Sequence, residues 1–209
     1  MVTPPFIAAY FYILLKFIMK ATILNIIFFS VIGTATINAQ QAAVQTPKMP
    51  IDEVTNLITY TDVVEEPGMN KDTLYNRALR WTKVFFKNPI DAVKKADAEA
   101  RVIEGGYRFK ISRPEPNSKK QPVPMVDAGL VNYKYKIFSK DGKFKYEITN
   151  FSWQQNSYYP LERWMDNKAT SYDPNFALYL KQTDDFIKDL IKSLEKAIET
   201  DPIKKKDDW

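Results

Sequence analysis

The chain contains no cysteine and no histidine. Without a thiol there is no disulfide, no thiolate metal site, no iron–sulfur cluster and no cysteine nucleophile. Without an imidazole the Ser-His-Asp and Cys-His constellations are excluded, and no side chain titrates near neutrality at its ordinary pKa. Catalytic options shrink to Asp, Glu, Lys, Tyr and an Arg clamp. Lipidation of an N-terminal cysteine is excluded too, so the chain is not a bacterial lipoprotein. Charge is also scarce at the start: Lys16 and Lys20 are the only charged residues before Gln40. From Gln40 onward 28 basic residues stand against 25 acidic ones, a net of +3. That excess is too mild to argue for a nucleic-acid partner. No pattern indicates a cofactor or a metal.

What the first stretch does have is apolar bulk. Phe6 to Ile37 is apolar apart from Lys16, Lys20 and a few small polar residues. Met19-Lys20 opens a positive start, Ile23–Ile32 forms an apolar centre, and small residues end at Ala39, which is the form of a secretory signal. Cleavage is expected after Ala39 or Ala35, with Met19 as the initiator and residues 1–18 as a mis-started extension. An uncleaved membrane anchor is the alternative, because the run is long enough to span a bilayer. Either way the folded part is expected outside the cytoplasm, in the periplasm or at the cell surface. Residues 1–39 are thus set apart, 40–55 read as a flexible lead-in, and 56–153 read as the main domain. Residues 154–200 form a crossing segment with a C-terminal helix, and 201–209 a charged tail.

The stretch that organises the domain is Val131–Trp153. Asp141-Gly142 is a two-residue hairpin signal, because a type I′ turn needs positive φ at both central positions. This turn sets Ser139 opposite Phe144, Ile137 opposite Tyr146 and Tyr135 opposite Ile148, all on one side. The other side then carries Lys134, Lys136, Phe138, Lys145 and Glu147, with Lys136 opposite Glu147 as an opposite-charge pair. After Asn150 the parity changes, which predicts a bulge or a strand end.

Around the hairpin the pattern predicts a strand at 56–64, then a helix capped by Asn70 and running to about Phe86. Leu74, Ala78, Trp81 and Phe85 form the buried stripe of that helix. Pro89 stops its continuation. Two strands follow at about 91–97 and 101–112, with a turn near Ala98. Gly105-Gly106 marks a bulge or a tight backbone approach. It is not a phosphate loop, because GxxxxGK[ST] and a following helix are missing. Residues 113–127 read as a polar loop with Pro114, Pro116, Pro122 and Pro124; a polyproline II recognition segment is the alternative. Asp173-Pro174 opens a last helix to about Thr200. Its stripe is Phe176, Leu180, Thr183, Ile187, Leu190, Leu194 and Ile198, and Asp184 is assigned to its wet face.

The order strand, helix, two strands, hairpin, helix predicts an α+β fold. Helices cover one face of an antiparallel sheet of about five strands and the other face stays open, as in one half of the TATA-box-binding-protein (TBP) saddle. The runs ITYTDVVEEPGMNKDTLYNRALRW, VIEGGY and KIFSKDGKFKYEIT resemble the domain-of-unknown-function family 4468. The matching positions are Lys71, Leu74, Tyr75, Arg77, Ala78 and Trp81, then Ile103, Gly105 and Gly106, then Lys140 to Tyr146, and the likeness covers about residues 57–150. The resemblance implies a TBP-like fold in an exported bacterial protein, and transfers no functional residue. The expected function is a non-catalytic binding or scaffolding module using the open face, with another envelope protein or a glycan as partner. The alternative is a carboxylate-dependent glycan hydrolase with Glu147, Glu104 or Asp62 as acid and base. Nucleic-acid binding rests on fold analogy alone.

Overall fold

Backbone hydrogen bonding, more than propensity, decides where the elements fall. The computed structural model describes residues 46–154 and 158–199, so the expected signal segment, the start of the lead-in and the charged tail lie outside the described residues. The elements are β1 (Tyr60–Glu65), α1 (Lys71–Phe85), α2 (Pro89–Ala92), β2 (Val93–Asp97), β3 (Val102–Pro114), β4 (Met125–Lys140), β5 (Lys143–Gln154), β6 (Tyr158–Pro160) and α3 (Asn175–Glu199). One 3-10 turn, Leu161–Met165, precedes α3. The strands pair antiparallel in the order β1-β5-β4-β3-β2, and β6 adds to β5. Among the described residues no helix is long and apolar enough to cross a membrane.

The hairpin holds the predicted register: Ser139 pairs with Phe144, Ile137 with Tyr146, Tyr135 with Ile148 and Lys136 with Glu147. The predicted parity change is a bulge, in which Lys134 pairs with Thr149 but Asn132 with Ser152, and Asn150 takes φ 57°. That extra residue returns Phe151 and Trp153 to the same side as Ile148, where Phe151 is buried.

Both long helices pack on that side. Asn70 caps α1, its side chain accepting from the Thr73 N–H at 2.8 Å. Leu74, Ala78 and Trp81 are buried, and Phe86, just past the helix, stacks on Tyr135. From α3, Phe186 stacks on Phe109 with ring centroids 4.1 Å apart. Trp81 Nε1 donates to Ser193 Oγ at 3.1 Å, tying α1 to α3. The Arg77 guanidinium donates to the Ile198 carbonyl at the far end of α3. A second aromatic knot joins Trp153, Trp164, Phe176 and Tyr179 beside the 3-10 turn.

Several expectations need correction. Pro89 does not merely end α1; it opens the short α2, as a proline at the first helical position allows. The loop expected over 113–127 is shorter, because Arg113 pairs with Val126 and Pro114 with Met125. The crossing segment contains β6 and the 3-10 turn. In the segment read as a lead-in, Met49 is buried, Ile51 bridges to Ile58 and the Asp52 carboxylate accepts from Val54 and Thr55. Asp184 is not on the wet face of α3. It is buried, accepting from the Tyr60 hydroxyl at 2.9 Å and from Lys188 at 2.7 Å. The Tyr60 hydroxyl meets it from the core and the exposed Lys188, four residues on, neutralises it from outside, which periodicity alone does not register.

Candidate functional site

Side chains alternate across a strand, so burying Tyr133, Tyr135 and Ile137 against the helices sends their neighbours outward. Lys134, Lys136, Phe138, Lys145 and Glu147 therefore share one face, as the hairpin pattern predicted, and among the described residues no helix covers it. Three rows cross it. Glu104 of β3, Lys136 of β4, Glu147 of β5 and Thr61 of β1 stand side by side. Val102, Phe138, Lys145 and Val63 form the next row, and Gly106, Lys134 and Thr149 the row on the opposite side.

The ion pairing differs from the register. Lys136 Nζ lies 3.4 Å from Glu104, while Glu147 is met by Lys145 at 3.7 Å. The expected Lys136–Glu147 pair is thus a neighbour relation rather than a salt bridge. A lysine between two carboxylates selects one of them, and a long side chain on an exposed face reaches its own strand neighbours as readily as the one opposite. Lys145 also lies 6.0 Å from the centre of the Phe138 ring. At the sheet edge Lys95 meets Asp97 at 3.2 Å. The Ala100 N–H, and then Lys95, hold the Asp97 carboxyl below the usual carboxylate range.

A Cβ at Gly105 would stand 2.1 Å from the Ala92 carbonyl and 2.5 Å from the Tyr135 ring, so the predicted close backbone approach is real. The predicted irregularity is there too, on the partner strand between Val93 and Lys95. Over the centre of this face lies a trough of about 490 Å³ lined by Glu104, Gly106, Lys134, Lys136, Glu147 and Thr149.

The three carboxylates considered for hydrolysis are divided. Glu104 and Glu147 share the trough, two strands apart, which puts their backbones about 9–10 Å from each other. Asp62 pairs with Tyr146 and so belongs to the helix side, where its charge helps to raise Glu195. Among the described residues there is no group of three or more carboxylates placed to hold a metal ion. The sequence reading missed Lys94, Arg108, Asn132 and Asn150, which border the same face. For Arg108 and Asn132 the signal was available, since they continue the outward parity of Glu104 and Lys134. Lys94 and Asn150 sit at bulges, where parity fails.

Known proteins share this architecture. A TBP-like protein from Parabacteroides distasonis is similar at 15% identity and a TM-score of 0.56, over 75% of this chain and 99% of that one. A DUF4468 family protein from Bacteroides ovatus is similar at 20% identity and a TM-score of 0.56, over 73% of this chain and 92% of its own. At such identities the likeness concerns the fold alone. No curated protein matches the chain. The family model described as "Domain of unknown function (DUF4468) with TBP-like fold" matches residues 60–154, from the first residue of β1 to the last of β5. Residues 60–154 therefore match the DUF4468 family model, and the fold is the TBP-like one, an antiparallel sheet whose described helices lie on one side.

Proposed function

We propose that this protein is an exported, non-catalytic binding module that holds a partner on the bare face of its sheet. The observation that carries this reading is the contrast between the two faces. One is sealed by α1 and α3 and packed with aromatic rings; on the other, strands of 12 to 16 residues lie uncovered by any described residue around a central trough. A broad face with charged and apolar rows suits recognition, and the missing His and Cys leave few chemical options. Export rests on the apolar, small-residue-ended stretch before Gln40.

Photo-crosslinking in producing cells tests this. A benzophenone amino acid at Phe138, on the bare face, is expected to give discrete adducts. The same probe at Val84, exposed on the outer side of α1, is expected to give none. Identical adduct patterns from both positions, or none from Phe138, would refute the binding face. Fractionation of the full chain is expected to find it outside the cytoplasm; retention inside ends the export half of the reading.

A glycan hydrolase is favoured by one observation, the shared trough of Glu104 and Glu147. Their backbone spacing is compatible with an inverting pair, in which a water sits between the carboxyls. Each, however, already stands within ion-pair distance of a lysine, Lys136 for Glu104 and Lys145 for Glu147. Loss of a measured glycan cleavage in Glu104→Gln and Glu147→Gln would establish hydrolysis in place of binding.

A further inference from the structure

Two hollows adjoin on the bare face and share Lys94, Gly106, Lys134 and Asn150. The second, about 650 Å³, continues over Arg108 and Asn132. Charge is distributed unevenly between them. In the first, Glu104 and Glu147 each have a lysine. Elsewhere on the sheet Lys95 meets Asp97, Lys110 meets Asp127 and Lys143 meets Glu65. Lys94, Lys134 and Arg108, by contrast, have no carboxylate partner among the described residues, and all three border the second hollow. Lys140 and Arg113, likewise without a carboxylate partner among the described residues, stand apart at the hairpin tip and at the far end of β3. Among the described residues the only carboxylate lining the second hollow is Asp91, which accepts from the Asn88 amide at 2.6 Å. The hollow thus keeps an excess of two positive charges.

The backbone is irregular at this spot and regular around it. The register of β2 slips between Val93 and Lys95, and β5 carries its extra residue at Asn150. Both irregularities bring a polar side chain to the rim, as bulges beside binding sites do. Asn132 and Asn150 add amides that donate and accept.

We propose that this end of the bare face binds an acidic glycan. Uronate carboxylates meet Lys94, Lys134 and Arg108, and ring hydroxyls meet Asn132 and Asn150. The proposal rests on the reading of the face as a binding surface and names its ligand. An acidic peptide added by strand pairing needs a free edge, and β4, which carries Lys134 and Asn132, is paired on both sides. Duplex DNA needs many more cations than three.

The test is calorimetric titration of the full chain with trigalacturonic acid, its methyl ester, hexaglutamate and a short DNA duplex. Trigalacturonate is expected to bind, more weakly as salt rises. The ester is expected to bind at least tenfold more weakly, by about the loss of one charge-assisted hydrogen bond. Lys134→Gln and Arg108→Gln are each expected to weaken trigalacturonate by roughly tenfold. Lys143→Gln, on the same sheet but away from the hollow, is expected to change nothing, and unchanged thermal unfolding certifies that all three variants fold. Failure of trigalacturonate to bind, equal binding of the ester, or equal loss in Lys143→Gln overturns the proposal. Tighter binding of hexaglutamate or DNA overturns it in favour of that class. If trigalacturonate fails while Phe138 still crosslinks, the glycan is wrong and the binding face stands.

Discussion

At Gly105 the β3 backbone runs against the carbonyl of Ala92, and the Tyr135 hydroxyl donates to that same carbonyl at 3.2 Å. No side chain fits between them. Gly105→Ala is expected to destabilise the fold by about 2–3 kcal/mol, the upper range for overpacking, read as a lower urea midpoint with unchanged slope. Glu195 presents the opposite case. Partial burial, then the charges of Glu199 and Asp62, push its carboxyl above the usual range. A carboxyl raised in the folded state favours folding only while protonated, so its contribution is complete below the unfolded pKa and disappears as pH rises through the folded one. Glu195→Gln is therefore expected to stabilise at pH 7, by less than about 1 kcal/mol after solvent screening, and the gain is expected to vanish below about pH 4. Urea midpoints of both proteins at pH 3.5 and pH 7 provide the check.

Elements succeed or fail here by parity and by caps. The hairpin of β4 and β5 is fixed by a two-residue turn, so its inward and outward sets follow from counting. Lys136 lies between Glu104 and Glu147 in that register. Lys136→Glu sets a third carboxylate in the row and is expected to cost about 1 kcal/mol at low salt, less at high salt, which unfolding in 20 mM and 500 mM salt would reveal. Where parity breaks, counting loses the side chain. Lys94 and Asn150 went unrecognised because each stands at a bulge, and a bulge is set by what the partner strands require. Asp184 was misplaced for a related reason. A polar residue beside a helical stripe reads as exposed unless its partner, here Tyr60 on a strand 124 residues away in sequence, is known.

On the scale of the molecule, one core joins the matched segment to the last helix. Ile187, Leu190 and Leu194 of α3 belong to the same buried cluster as Tyr133, Phe151 and Ile148 of the sheet. Residues 60–154 alone would expose that face. The isolated segment is expected to bind a hydrophobic dye and unfold without cooperativity, whereas residues 46–199 are expected to show a sharp thermal transition. The buried tyrosines give the alkaline limit. Burial raises the phenols of Tyr60, Tyr133 and Tyr135, and pushes Tyr146 up to about 12. Below the unfolded value of about 10 both states are protonated and the tyrosines leave stability unchanged. Above it the unfolded chain ionises first, so stability is expected to fall from about pH 10 upward. With Tyr179, also raised by burial, five such groups set a limit of about 7 kcal/mol per pH unit, and urea midpoints between pH 8 and pH 11.5 would trace it.

Much of this was available from residue order alone. The Asp141-Gly142 turn, the alternation on either side of it and the 3.6-residue stripes of α1 and α3 determined the strands, the helices and which sheet face is bare, because each depends on local geometry with a fixed period. The five face residues followed from the same count. Tertiary structure alone decided which charges neutralise one another, that Asp62 stands across the sheet from Glu104 and Glu147, and that Lys94, Arg108 and Lys134 share an unpaired hollow. These relations join strands far apart in the chain, and no sequence period records a distance that exists only once the sheet has closed.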